Sequence, residues 1–212
     1  MKVIELTHKI TENMPLYPGT EKPQLNPVAT CEKNGYQETL RHFYSHTGTH
    51  MDAPAHLISE GMTLDSFEPQ QFVGKGRVID CRDCEHGSEI PYEKIEQVKE
   101  KADEADFLLF LTGWSKYWGQ PEYFVDYPVI SKKICGYITS SGKKGIGLDT
   151  ISLDPIKGLT LPRHQAILSN NMVIIENLVN LERIGFELFN FIALPLRYEN
   201  ADGAPVRAIA LI

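Results

Sequence analysis

The chain has 212 residues, 42% of them apolar and 23% charged. It is long enough for one ample core, and its composition excludes global disorder, collagen and coiled coil. Its 21 basic and 28 acidic side chains leave a net charge of −7, a poor match to nucleic acid or an anionic membrane surface. The longest unbroken apolar runs, Phe107–Leu111 and Ala208–Ile212, are five residues, where a membrane-spanning helix needs about 20.

Apolar and β-branched patterning predicts strands over Val3–Thr7, Glu38–Ser45 and Phe72–Cys81. A helix is expected over Pro91–Asp103, with Pro at its start and Ile95, Val98 and Ala102 at helical spacing. A strand over Phe107–Thr112 and a helix over Ser131–Ser140 come next, then strands over Gly145–Asp149 and Met172–Glu176. A short helical turn at Leu181–Ile184 precedes strands over Leu188–Leu194 and Val206–Ile212. Strands outnumber helices and the order is not a strict βαβα alternation. The expectation is a mixed, β-rich α/β or α+β single domain spanning residues 1–212, not a doubly wound sheet. No glycine-rich phosphate loop supports nucleotide binding. The start Met1–Leu6 meets an acid at Glu5 and lacks the pattern of a signal peptide. The four cysteines, Cys31, Cys81, Cys84 and Cys135, show no disulfide-framework spacing. A cytoplasmic protein with reduced thiols is expected.

The chemistry concentrates in Ser45-His46-Thr47-Gly48-Thr49-His50-Met51-Asp52-Ala53-Pro54-Ala55-His56. Residues 42–56 hold four of the seven histidines. Metal–nitrogen bonds are about 2.0–2.1 Å, so ligands must converge on a point. In a straight strand His46 and His50 would stand about 13 Å apart. Gly48 can adopt backbone angles closed to other residues and so bend the chain between them, with Thr49 and Asp52 expected to hold the bend by local backbone hydrogen bonds. Asp52 before Ala53-Pro54 also reads as a helix N-cap, placing His56 in a first helical turn. Two imidazoles and a carboxylate, with a third imidazole beside them, suit Zn(II), Mn(II) or Fe(II) with positions left open for water.

This segment matches the HxGTHxDAPxH motif at every fixed position from His46 to His56. On it the chain resembles the cyclase-like metal-dependent hydrolases, a family that includes the bacterial kynurenine formamidases. Met14–Gly19 resembles the family's N-terminal loop, Gly147–Thr150 with Asp154-Pro155 its central strand and turn, and Ala201–Arg207 its C-terminal signature. His164 with Ile175-Glu176-Asn177 is similar to its second ligand pair. The resemblance implies a swivelling β/β/α fold, usually assembled as dimers or larger homo-oligomers. It implies a first divalent ion on His46, His50 and Asp52, a second bridged by Asp52 to His164 and Glu176, and His56 as catalytic acid/base. Zinc is the metal associated with the formamidases and manganese with the related isatin hydrolases, so one or two ions per subunit are expected. The chain departs from the formamidases at Tyr17 and Thr20, where they have Trp and Asp, and over Thr112–Trp118. Both segments are expected at the pocket, which sets Tyr17 and Trp114 against substrate.

Read without the resemblance, Glu176 ends an apolar strand and needs a partner, because an unpaired buried charge costs several kcal/mol. A metal and an ion pair with Arg163 or Arg183 are equal candidates. Cys81-Arg82-Asp83-Cys84 with His86 is half of a zinc site and reads as incidental thiols at a strand end. The aromatic stretch Trp114, Tyr117, Trp118, Tyr123, Phe124, Tyr127 builds either a pocket or a satellite core. Asp149 and Asp154 orient metal ligands or cap turns. Three functions follow: hydrolysis of an aryl formamide such as N-formylkynurenine, ring opening of an isatin-like cyclic amide at the same site, or a non-catalytic metal-binding scaffold.

Overall fold

The computed structural model of the chain describes residues 1–158 and 160–212. In chain order the strands are β1 (Val3–Glu5), β2 (Gln24–Ala29), β3 (Glu38–His42), β4 (His50–Asp52), β5 (Val73–Asp80), β6 (Glu89–Ile90), β7 (Phe107–Leu111), β8 (Val129–Ile130), β9 (Gly145–Leu148), β10 (Val173–Glu176), β11 (Phe189–Pro195) and β12 (Gly203–Leu211). The helices are α1 (Cys31–Asn34), α2 (Glu93–Glu96), α3 (Lys99–Glu104), α4 (Lys132–Ser140) and α5 (Pro162–Leu168).

Eight strands form one mixed sheet in the order β1-β12-β11-β5-β7-β9-β10-β4, and β4 also pairs with β12. That extra pairing closes the sheet into a barrel-like wall, so its inner strands leave no free edge. Strands β5, β7, β9 and β10 run parallel, while β1, β4, β11 and β12 add antiparallel pairings. The architecture is the mixed, strand-rich α/β fold expected, and not a doubly wound sheet.

The unbroken apolar run of β7 is explained by burial on both faces. Phe107, Leu109 and Leu111 join the core inside the wall, with Val78, Ile175 and Phe191. Leu108 and Phe110 face the opposite way, into a second core with Ile79, Ile95, Ile134 and Ile167. Alternation on β4 and β10 then fixes the site. Met51 and Ile175 go to the inner core, so His50, Asp52 and Glu176 share the outer face. Cross-strand pairing sets Glu176 opposite His50, and β12 sets Gly203 opposite Asp52.

The structure differs from the predicted elements in particular places. The helix over Pro91–Asp103 is split into α2 and α3, because Val98 leaves the helical region at φ −128°, ψ 23°. Strand β2 carries Pro27 and, among the described residues, pairs only with β3, making a separate two-stranded arm. Proline and the lack of a buried face hid it. Strand β3 ends at His42 and not at Ser45. Helix α5, which carries His164, was not expected.

Candidate metal centre

Gly48 adopts φ +67°, the left-handed conformation anticipated for the bend. It brings the His46 and His50 rings to 5.1 Å between centroids. The bend is held from afar and not locally as expected. Thr49 Oγ1 donates to Asn177 O at 2.6 Å, and Asn177 Nδ2 donates to Gly48 O at 2.9 Å. Gly203 leaves room for His46, since a Cβ there would come within 2.5 Å of the His46 ring.

Asp52 is not a helix cap. It ends β4, and Ala53 precedes the short 3₁₀ turn Pro54–His56. The Asp52 carboxylate has better partners in the imidazoles. His46 Nδ1 stands 2.7 Å from Asp52 Oδ1, His50 Nε2 stands 3.3 Å from the same oxygen, and His164 Nε2 stands 3.7 Å from Oδ2. Glu176 closes the cluster, with Oε2 3.5 Å from His50 Nε2 and Oε1 3.1 Å from His164 Nε2. Its partners are these imidazoles and the Leu153 N–H at 2.7 Å. Arg163 is engaged instead by Asp154 and Glu89. His46, Asp52 and His56 form one group of converging donors, and His50, Asp52 and Glu176 another, with Asp52 common to both.

Each of His46, His50 and His164 turns one ring nitrogen to this cluster and the other to an outer acceptor. His46 Nε2 meets Asp202 Oδ2 at 2.9 Å, His50 Nδ1 donates to Gly48 O at 2.8 Å, and His164 Nδ1 meets Asp154 Oδ2 at 2.8 Å. Such partners fix the tautomer and ring orientation of metal-binding histidines. Asp154 also accepts the Arg163 and His164 backbone N–H groups at the start of α5, so one carboxylate docks the helix and aims its imidazole. Asp149 accepts from Thr112 and Gly113 instead, and caps that turn. Burial pushes the Asp149 carboxyl up to about 6.

Electrostatics show what the cluster demands. Asp52 and Glu176 are 1% and 4% exposed, and burying such charges costs several kcal/mol each without cations. Burial opposes protonation of His46, but the Asp52 charge and the hydrogen bonds to Asp202 and Asp52 outweigh it and hold the ring up to about 10. His164 is likewise held up to about 10 against its burial by Asp154 and Glu176. Burial also opposes ionisation of Asp52, yet the His46 charge keeps it well below the usual carboxylate range. The buried carboxylates thus call for positive charge at this point. Four-coordinate zinc with bonds near 2.1 Å sets its donors about 3.4 Å apart, which the His50–Asp52 and His50–Glu176 spacings of 3.3 and 3.5 Å satisfy. The residues fit a divalent ion.

The cluster forms the floor of a cavity of about 440 Å³, whose upper walls include Pro15, Leu16, Tyr17, Tyr44, Ile151 and Leu161. His56 and Asp202 line it as well. Trp114 lies behind the wall: it is 3% exposed, packs with Tyr117 and Tyr127 and donates from Nε1 to Tyr123 O at 3.3 Å. An indole there gains more by burial than by facing a polar floor. The aromatic stretch is a satellite core, and it reaches the site through a chain of hydrogen bonds. Tyr123 Oη donates to Asn177 Oδ1 at 2.7 Å, and Asn177 in turn holds the Gly48 carbonyl that fixes His50. Tyr123, Asn177 and Asp202 were not assigned roles from sequence.

Fold and site together define a metal-binding protein of hydrolase type, with imidazole and carboxylate donors open to a substrate-sized cavity. The Cyclase family model matches residues 4–155. An uncharacterized protein of Methanocaldococcus jannaschii is 32% identical over 213 residues, covering 100% of both chains. A kynurenine formamidase of Geobacillus thermodenitrificans is 28% identical over 209 residues, covering 97% of this chain and 95% of the relative. Among solved structures, isatin hydrolase A from Labrenzia aggregata superposes with a TM-score of 0.89 at 23% identity, over 100% of this chain and 93% of the other. The chain belongs to the cyclase-like family of metal-dependent hydrolases.

Proposed function

We propose that the protein hydrolyses a non-peptide amide with a metal-activated water, the metal held by His46, His50, Asp52, His164 and Glu176. The observation that carries this reading is the pair of buried carboxylates ringed by imidazoles at the floor of an open cavity. A divalent ion there supplies Lewis acidity, acidifying water toward neutral pH and polarising the amide carbonyl. Zinc is the first choice and manganese the second, with one or two ions per subunit.

His56 is the acid/base. Its ring centroid lies 4.1 Å from that of His46, its Nδ1 is 4.0 Å from Asp202 Oδ2, and it borders the cavity. Burial pushes it below the ordinary histidine value, so it is neutral and ready to accept a proton from the attacking water. It then delivers that proton to the departing nitrogen, which leaves poorly unless protonated. Tyr17, 43% exposed on the rim, is placed to pack on an aryl group.

An aryl formamide such as N-formylkynurenine, giving kynurenine and formate, is the first substrate, supported by the formamidase relatives. A second reading, ring opening of a neutral cyclic amide of the isatin kind, is favoured by one observation. Among the described residues that line the cavity there is no Lys or Arg to meet a substrate carboxylate. Reconstituting the protein with zinc or manganese and assaying N-formylkynurenine and isatin side by side tests both. Binding of metal with hydrolysis of neither, or of any aryl amide, would make it a scaffold instead.

A homodimer or larger homo-oligomer is part of the proposal. The β2–β3 arm exposes Val28, Tyr36 and Leu40, and a two-stranded ribbon without a buried face is marginal alone in water. A cytoplasmic location accords with four free cysteines and with the lack of a helix, among the described residues, long and apolar enough to cross a membrane.

A further inference from the structure

Cys81 and Cys84 lie outside the metal centre. Cys81 follows the last residue of β5, and its N–H donates to Leu111 O on β7 at 2.8 Å. The chain then turns, and the Cys84 N–H donates back to Cys81 O at 3.1 Å. This is the hydrogen bond of a β-turn, whose end Cα atoms lie within about 7 Å. A disulfide needs Cα atoms about 4.4–6.8 Å apart, so the turn presents the cysteines at bridging distance. The Cys81 thiol donates to Ile79 O at 3.5 Å, on the strand that leads into the turn. Cys81 is fully buried, whereas Cys84 is half-exposed. Lys94, from α2, pairs with Asp83 in the same turn, and its ammonium acts on Cys84.

We propose that Cys81 and Cys84 form a dithiol–disulfide redox site that exchanges with small-molecule disulfides of the glutathione class. Cys84 is the attacking group. It is the solvent-reachable member of the pair, and the neighbouring Cys81 thiol and the Lys94 charge, working against burial, keep its thiol below the ordinary value, which favours the nucleophilic thiolate. Cys84 Sγ attacks one sulfur of glutathione disulfide; the S–S bond breaks and one glutathione thiolate leaves and takes up a proton. Cys81 then resolves the adduct. The adjacent Cys84 thiolate and burial both push its own thiol up, and capping Cys84 removes the first of these. Cys81 loses its proton to solvent, its sulfur attacks Cys84 Sγ, and the second glutathione leaves. Two thiols have been oxidised to one disulfide, and glutathione disulfide has been reduced to two glutathione molecules. The small ring and the half-exposed position make the bond reducible again. The turn abuts the aromatic satellite core, with Arg82 against Gly113 and His86 4.8 Å from Trp114.

The experiment treats the metal-loaded, fully reduced chain with excess glutathione disulfide, blocks remaining thiols with N-ethylmaleimide and maps the cysteines by peptide mass spectrometry. Cys31, which is exposed, and Cys135, which is buried, are internal controls. The expected result is a Cys81–Cys84 disulfide in the parent chain, with Cys31 carrying glutathione and Cys135 free. Cys81→Ser is expected to stop at a glutathione adduct on Cys84, and Cys84→Ser to leave Cys81 unmodified. If Cys84 of the parent chain ends as an unresolved adduct or as a blocked thiol while Cys31 reacts, the proposal is overturned, whatever the variants do.

Discussion

Tyr123→Phe isolates the link between the aromatic satellite core and the metal site. The substitution removes one oxygen and leaves the ring, so the core around it keeps its packing. The Tyr123 hydroxyl donates to Asn177 Oδ1 at 2.7 Å, and both residues are buried. Deleting the donor strands a buried amide oxygen, which costs about 1–3 kcal/mol. It also frees Asn177, whose backbone sits at φ +59° and whose Nδ2 steadies Gly48 O, the acceptor that fixes the His50 ring. Outright loss of an outer partner of a metal-binding histidine weakens metal affinity by about 10–100-fold, and loosening Gly48 O is expected to weaken zinc binding by less than that. Urea unfolding of the metal-free protein reads the first effect, and zinc competition against a chromophoric chelator reads the second. Tyr137→Phe is the control: its hydroxyl donates to Asp103 at 2.6 Å, remote from the site, so it shifts stability alone. A Tyr123→Phe protein that binds zinc as tightly as the parent would refute the relay, even with its stability reduced.

His56→Ala is expected to keep its metal and to lose turnover by about 10²–10⁴, the usual contribution of a positioned acid/base; loss of metal in that variant would make His56 a ligand. His8 stacks on Trp118 at 3.8 Å with its plane 4° away, and burial pushes it down to about 4. Because its folded value lies below the unfolded one near 6.5, the folded chain binds fewer protons between them. Its contribution to stability is therefore full above pH 6.5 and lost as pH falls toward 4. Urea midpoints at pH 7 and pH 5 should show a smaller acid-side loss for His8→Gln than for the parent; equal losses would show that His8 titrates normally. In a matched substrate series, the unlined charge of the cavity predicts that converting a carboxylate-bearing aryl amide to its methyl ester lowers KM, and a rise in KM would point to a cation supplied from elsewhere.

The segment from His46 to His56 was legible because one glycine at positive φ decides whether the imidazoles converge, although the distant Asn177 holds the bend. Glu176 was legible as a charge ending an apolar strand, though only the structure separates its imidazole partners from Arg163. Asp52 reads from sequence both as a metal ligand and as a cap; the cap reading fails because its carboxylate turns to His46 and His50 within the segment and to His164 from α5, which no local window contains. Asp202 and Asn177 owe their roles to strand pairing and to long-range hydrogen bonds, which no window of sequence contains. The split at Val98 and the arm strand β2 were hidden for another reason. Helical periodicity continues through the first, and the second buries almost nothing that would leave a hydrophobic pattern.

In the proposed reaction Asp52 sits at the heart of a divalent-metal site. Metal content after reconstitution with zinc and exhaustive dialysis, measured by plasma mass spectrometry for the parent chain and for Asp52→Asn, tests it most directly. One or two equivalents in the parent and a near-complete loss in the variant are expected; a parent chain that retains no zinc, or a variant that retains as much, would show that Asp52 holds no metal.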